Sequence, residues 1–152
     1  MELQIKVLQA ADLDTIMTLE KSWLQNVESD PMRQEMISWK ALWRKEALEH
    51  YLPLGWSFGL WSQDLSQLKA YLLAQPLLFF RGMTQTLWIE HIGAQEDGCK
   101  TQLIDVAYRM SRSKHFQAAL YYQPEAYLKQ LDAFGATPLD ERIYLLKTSK
   151  LN

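Results

Sequence analysis

Glu90 and His91 stand side by side in the run Leu87-Trp88-Ile89-Glu90-His91-Ile92. A carboxylate and an imidazole inside an otherwise apolar segment are both proton acceptors, and the imidazole titrates near neutrality. If the segment is a regular strand, the two side chains point to opposite faces, so one cleft can use only one of them. Just downstream, Gln95-Glu96-Asp97-Gly98-Cys99-Lys100 forms a polar loop that leads into a helix from about Thr101. Such a junction suits an anion: helix-start amides lack partners, the helix dipole is positive there, and glycine lets backbone approach a phosphate. Gly98, Cys99, Lys100 and Thr101 could present those amides, and the Lys100 ammonium adds a charge-assisted contact. Glu96 and Asp97 oppose it, and an ordinary solvated connector is the competing reading. Arg109, Arg112, Lys114 and His115 collect near a helix C-terminus, where cations suit the dipole, and they read as a solvated helix end.

Other chemistries find no support. Cys99 is the single cysteine, so an internal disulfide is impossible and no Cys/His set at metal-ligand spacing exists. Neither a Gly-x-Gly-x-x-Gly nor a Walker loop is present, which disfavours a dinucleotide or nucleotide binder. The formal net charge of −2 gives no field to attract nucleic acid or an anionic membrane surface. The N-terminal residues lack the pattern of a signal peptide, and no apolar run approaches the ~18 residues of a membrane helix. A cytoplasmic protein is the expectation.

With 152 residues, 48% of them hydrophobic and 22% charged, the chain can bury a core of its own. No linker or repeat divides it, so residues 1–152 read as one domain. Residues 3–8 alternate as a first strand, with Leu3, Ile5 and Val7 on one face. Asp12 then caps an amphipathic helix over 13–27. Asp30 and Pro31 start a second helix whose stripe of Met32, Met36, Trp39, Trp43 and Ala47 continues to Tyr51, before Pro53 and Gly55 stop it. Residues 56–67 read as a strand and a turn. Residues 69–80 read as a strand with a bulge or an open edge at Pro76. Residues 86–94 read as a strand with Trp88, Glu90, Ile92 and Ala94 on one face. A helix to Ser113, a short strand over 116–122, a helix from Pro124 to a stop at Gly135, and a last strand over 143–147 complete the order.

That order resembles a GNAT-type N-acyltransferase domain, and three stretches carry the likeness. Val7-Leu8-Gln9-Ala10-Ala11-Asp12-Leu13 is similar to the opening strand and helix start. Residues 87–92 are similar to the fourth strand, and residues 126–136 to the late helix that ends in a Gly beside an aromatic. The resemblance covers nearly the whole chain. It implies a mixed, mostly antiparallel α/β sheet flanked by helices on both faces, with transfer from acetyl-CoA to a primary amine of a small molecule or peptide by direct attack. It also implies Glu90 as the base, with the strand backbone around Ile92 and Ala94 and the turn of Gly98, Cys99, Lys100 and Thr101 holding the coenzyme. The family's pyrophosphate pattern ends in Gly or Ala where this chain has Lys100, and Leu131 stands where members often carry an acid Tyr. A non-catalytic interaction module is therefore the second expectation. A homodimer is compatible with either.

Overall fold

The computed structural model describes residues 2–139 and 142–148. Among the described residues, five strands form one open sheet in the order β1 (Gln4–Val7), β2 (Phe58–Trp61), β3 (Leu68–Phe80), β4 (Met83–Gly93) and β5 (Ala118–Tyr121). Neighbours are antiparallel except β5, which runs parallel to β4. Helices α1 (Leu13–Val27), α2 (Pro31–Lys40) and α3 (Lys45–Tyr51) precede the β2–β4 meander, α4 (Asp97–Ser113) crosses from β4 to β5, and α5 (Leu128–Ala133) follows. The sheet has a core on each side. One gathers Ile16, Leu48 and Tyr51 against Tyr71 and Leu73, and the other gathers Leu103, Ile104 and Ala107 against Leu72, Leu87 and Ile89. This is the mixed, mostly antiparallel sheet with helices on both faces that the sequence implied.

Several local features follow the sequence chemistry. Asp30 accepts a hydrogen bond from the Met32 N–H at 3.1 Å, and Pro31 opens α2. Arg81 and Gly82 both have positive φ, 50° and 85°, the conformation a two-residue hairpin needs between Phe80 and Met83. Pro76 lies past the last residue of β3 that β2 reaches, Leu72, so β3 has an open side there as expected.

Other expectations give way. The second helix breaks at 41–44, and the break turns Trp43, Ala47, Leu48 and Tyr51 inward while Met32, Met36 and Trp39 of α2 stay exposed. No Pro or Gly marks that break; burial of the α3 residues outweighs the intrinsic propensity of 41–44 to stay helical. Asp12 holds the N-cap position of α1 as expected, but its carboxylate makes no capping bond to that helix. A 3-10 turn, Ala10–Asp12, comes first, and the Asp12 carboxylate reaches back to accept from the Gln9 N–H at 2.8 Å. β1 is an edge strand whose Ile5 and Val7 are exposed, and Leu8, just past it, is the residue that enters the core. Leu128 and Phe134 face outward, leaving Tyr127 and Leu131 as the buried apolar residues of the late helical segment. Residues 143–147 form no strand. Their apolar side chains are exposed, Tyr144 at 99%.

Candidate functional site

β4 builds the site through a single irregularity. Its ladder with β3 pairs His91 with Leu73 and Ile89 with Ala74, so Glu90 is an extra residue, a β-bulge. The bulge resets the alternation of side chains. Ile89 and Ile92 both enter the α4-side core, whereas Trp88, Glu90 and His91 all meet side chains of the α1/α3 side. Glu90 and His91 on opposite faces, and Ile92 on the face of Glu90, are expected only of a regular strand, and the bulge overturns both.

The bulge also ends the pairing with β5. Their register runs from Thr86↔Ala118 to Ile89↔Tyr121, and the Tyr122 N–H to Ile89 carbonyl bond at 3.1 Å is the last rung. Beyond it β4 continues through 90–93 with β3 on one side only. Its outward main-chain groups there are open to an extended ligand, the way a sheet edge takes an added strand.

Around this parting lies a polar cluster. Trp88 Nε1–H donates to Glu90 Oε1 at 2.9 Å, and the Trp88 ring stacks on Tyr122 at 5.6 Å between centroids. Tyr51 of α3 stands beside Glu90; burial first, and then the Glu90 charge, hold its phenol well above the ordinary range. One turn deeper, Tyr71 Oη–H donates to the buried Glu20 carboxylate at 2.7 Å. His91 Nε2 sits 3.5 Å from the same Glu20 oxygen without making a hydrogen bond to it, and is buried with no hydrogen-bond partner. Gly93 makes this packing possible: a Cβ there would lie 2.7 Å from Glu20 Oε1 and 2.6 Å from Tyr71 Cζ. The sequence reading missed Glu20, Tyr51 and Tyr71. Glu20 had a signal, since it falls one turn after Ile16 on the helix's core stripe, where an unpaired acid is costly.

The turn after β4 is shorter than expected. Only residues 94–96 separate β4 from α4, so Gly98, Cys99 and Lys100 lie in the first turn of the helix rather than in a loop, with Thr101 following. The Cys99 and Lys100 amides already donate to the Glu96 carbonyl at 3.1 and 3.2 Å. Helix geometry leaves the Asp97 and Gly98 amides without an intrahelical acceptor, and the Glu96 side chain does not cap them. Nothing lies within 4 Å of a Cβ built on Gly98, so there is room for an anion to approach. The Lys100 ammonium donates to the Ala126 carbonyl at 3.0 Å and pairs with Asp97 at 3.6 Å, tying α4 to the segment before α5. Cys99 is buried, and burial raises its thiol pKa. Thr18, Ser22, Trp23, Lys69, Gln95 and Cys99 line a cavity of about 650 Å³ between α1 and this turn.

Two phenols flank the parting on the other side. Tyr127 Oη is buried without a hydrogen-bond partner, its ring 6.0 Å from that of Tyr121, and burial holds both phenols protonated well past neutrality. The basic group at the end of α4 does not converge on the site: Arg109 pairs with Asp105 at 2.9 Å and Arg112 lies over Tyr108. Among the described residues no cluster of three or more His, Cys, Asp or Glu side chains could hold a metal, and no helix is long and apolar enough to cross a membrane.

An open mixed sheet whose fourth strand bulges and parts from a parallel fifth is the architecture of the GNAT acetyltransferases, and solved structures bear this out. The chain is similar to a GCN5-related N-acetyltransferase from Ralstonia eutropha JMP134, with TM-score 0.66, 13% identity, and coverage of 95% of this chain and 98% of that one. It is also similar to a ribosomal-protein-alanine N-acetyltransferase from Brucella melitensis biovar Abortus 2308, with TM-score 0.62, 16% identity, and coverage of 97% and 99%. An acetyltransferase from Trypanosoma brucei aligns at TM-score 0.55 and 20% identity over 96% and 100%. No family model and no curated protein matches the sequence. The fold is therefore that of the GNAT N-acetyltransferases, at identities that establish the fold alone.

Proposed function

We propose that the chain is an acyl-CoA-dependent N-acyltransferase that moves an acetyl group from acetyl-CoA to a primary amine of a small molecule or peptide by direct attack. One observation carries this reading: the bulge at Glu90 opens β4 from β5 and brings a carboxylate to that opening, in a fold shared with acetyltransferases. The open main-chain groups of 90–94, including those of Ile92 and Ala94, hydrogen-bond the amide-bearing arm of the donor. The Gly98 amide receives its pyrophosphate. Cys99 and Thr101 shape the same turn, and Lys100 offers the donor of its ammonium that Ala126 and Asp97 leave over.

The donor, once bound, supplies an electrophilic thioester carbonyl. Glu90 takes the proton that the attacking amine loses, with the Trp88 indole fixing the orientation of the carboxylate. Tyr127, a protonated phenol with an uncommitted hydroxyl, gives a proton to the departing thiolate. A lone unpaired cysteine fits work in the cytoplasm. The test follows thiol release from acetyl-CoA in the presence of an amine panel. Glu90→Gln should reduce turnover by about 10²–10⁴ while leaving donor binding intact, and a rate within threefold of wild type would remove Glu90 from the mechanism.

A second reading, a non-catalytic interaction module on the same fold, is favoured by the start of α4. Two acids, Glu96 and Asp97, precede Gly98 there, and Lys100 is engaged with Ala126 and Asp97. On that reading acetyl-CoA does not bind, and a stable partner or oligomer takes its place.

A further inference from the structure

We infer that α2 joins two copies of the chain in a parallel homodimer, with Met32, Met36 and Trp39 of one protomer packed on the same residues of its partner. The helix carries its apolar side outward. All four of its large apolar residues are exposed, Met32 at 72%, Met36 at 52%, Ile37 at 45% and Trp39 at 67%. The residues it turns to the body are polar: the Gln34 side chain donates to the Glu28 carbonyl at 2.6 Å, and Ser38 lines a small crevice with Lys21, Leu24 and Gln25 of α1. A helix of 10 residues is marginal alone and ordinarily draws its stability from burying an apolar face. Within one chain α2 has no such burial.

The spacing of the exposed stripe indicates what covers it. Met32, Met36 and Trp39 stand four and three residues apart, the d, a and d positions of a heptad, which form the narrow seam of paired helices rather than the wider face a helix lays on a sheet. The flanking charges then select the partner and its direction. Glu35 takes a g position, and Arg33 and Lys40 take e positions. In a parallel pair each g residue faces the e residue five places later on the other helix, so Glu35 of each chain meets Lys40 of the other, twice by symmetry. In an antiparallel pair e faces e and g faces g, so Arg33 would oppose Lys40 and Glu35 would oppose Glu35. Among the described residues Glu35 and Lys40 form no ion pair within their own chain. Gln34 and Ser38 fall at the outer f and c positions, so the body of each chain stands behind its helix and clear of the seam. The stripe and the stems of its flanking charges would take on the order of 1,000 Å² from water over both chains, the low end for a specific interface, which corresponds to a dissociation constant of roughly tens of micromolar.

Sedimentation equilibrium between about 5 and about 500 µM should show the 17.8 kDa chain giving way to a species of twice that mass. Met36→Asp should raise the dissociation constant at least about tenfold, with the melting temperature of the monomer unchanged because the side chain lies outside the core. Lys40→Glu and Glu35→Lys each set like charges across the seam and should each weaken self-association about tenfold. An equimolar mixture of those two variants restores opposite charges at both contacts and should dimerise as the wild type does. None of these readouts depends on acetyl transfer. A wild type that stays monomeric throughout, a dimer indifferent to Met36→Asp, or a mixture no tighter than its components overturns the inference. A monomer that instead sediments with phosphatidylglycerol vesicles, and loses them on Met36→Asp, assigns the face to a membrane surface and overturns it equally.

Discussion

Gly93→Ala should be among the more damaging single-methyl additions available in this chain. The new Cβ would stand 2.6 Å from Tyr71 Cζ and 2.7 Å from Glu20 Oε1, and Tyr71 has nowhere to go, since it is fully buried and hydrogen-bonded to Glu20. Forcing extra volume into a packed core costs about 1–3 kcal/mol. Displacing a hydrogen bond to a carboxylate costs about 1.5–3 kcal/mol. The two overlap because the same side chains move, so about 3 kcal/mol is expected, or a fall in melting temperature of roughly 6–12 °C for a domain of this size. Thermal and urea melts of the variant measure it. Tyr71→Val should absorb the clash, so the double variant should lose less than the two single changes added together. A Gly93→Ala protein that melts within a degree of wild type, or strictly additive losses, would refute the packing argument and with it the role of this cluster in fixing the end of β4.

Three further outcomes follow. Glu90→Gln should reduce turnover by about 10²–10⁴ with the melting temperature nearly unchanged; a rate within threefold of wild type means another group takes the proton. Tyr51, Tyr71, Tyr121 and Tyr127 all have phenol pKa values raised by burial, Tyr51 and Tyr71 also by a neighbouring carboxylate. Their contribution to stability is thus complete below the ordinary value of 10.0 and is lost as pH rises toward the raised values. Tyrosinate absorbance should show these four ionising only as the fold is lost, and reversible ionisation near pH 10 in the intact protein would count against it. Cys99, buried with a raised thiol pKa, should react with thiol reagents slowly at neutral pH and faster above the ordinary thiol range. Bound acetyl-CoA should slow the reaction further, and an unchanged rate would put the coenzyme elsewhere.

The parts of the fold written in local pattern were legible. Alternation gave the β2–β4 meander, Pro31 after Asp30 gave the start of α2, and Gly135 gave the end of α5, because each depends on residues near in sequence. What was not legible depends on distant partners. The break at 41–44 exists because Trp43 and Leu48 find a better fit against β3 than one straight helix allows. The Glu90 bulge is set by the registers of β3 and β5, so a strand read alone looked regular and assigned Ile92 and Glu90 to one face. The residues 143–147 have a strand's composition, but in this structure they have no neighbouring strand to pair with. At the site, Glu90 could be singled out as a lone acid in an apolar run, whereas Tyr51 and Tyr71 read as ordinary core aromatics until the carboxylates beside them were located.

Binding of acetyl-CoA to the wild-type chain is the most direct test of the account. Calorimetric titration should give saturable, one-site binding. At a ligand concentration about 100 times the dissociation constant the protein should gain about 2.7 kcal/mol, a rise in melting temperature of roughly 5–11 °C. No heat of binding and no shift at millimolar acetyl-CoA would contradict the acyltransferase reading and leave the GNAT fold here as a scaffold for another role.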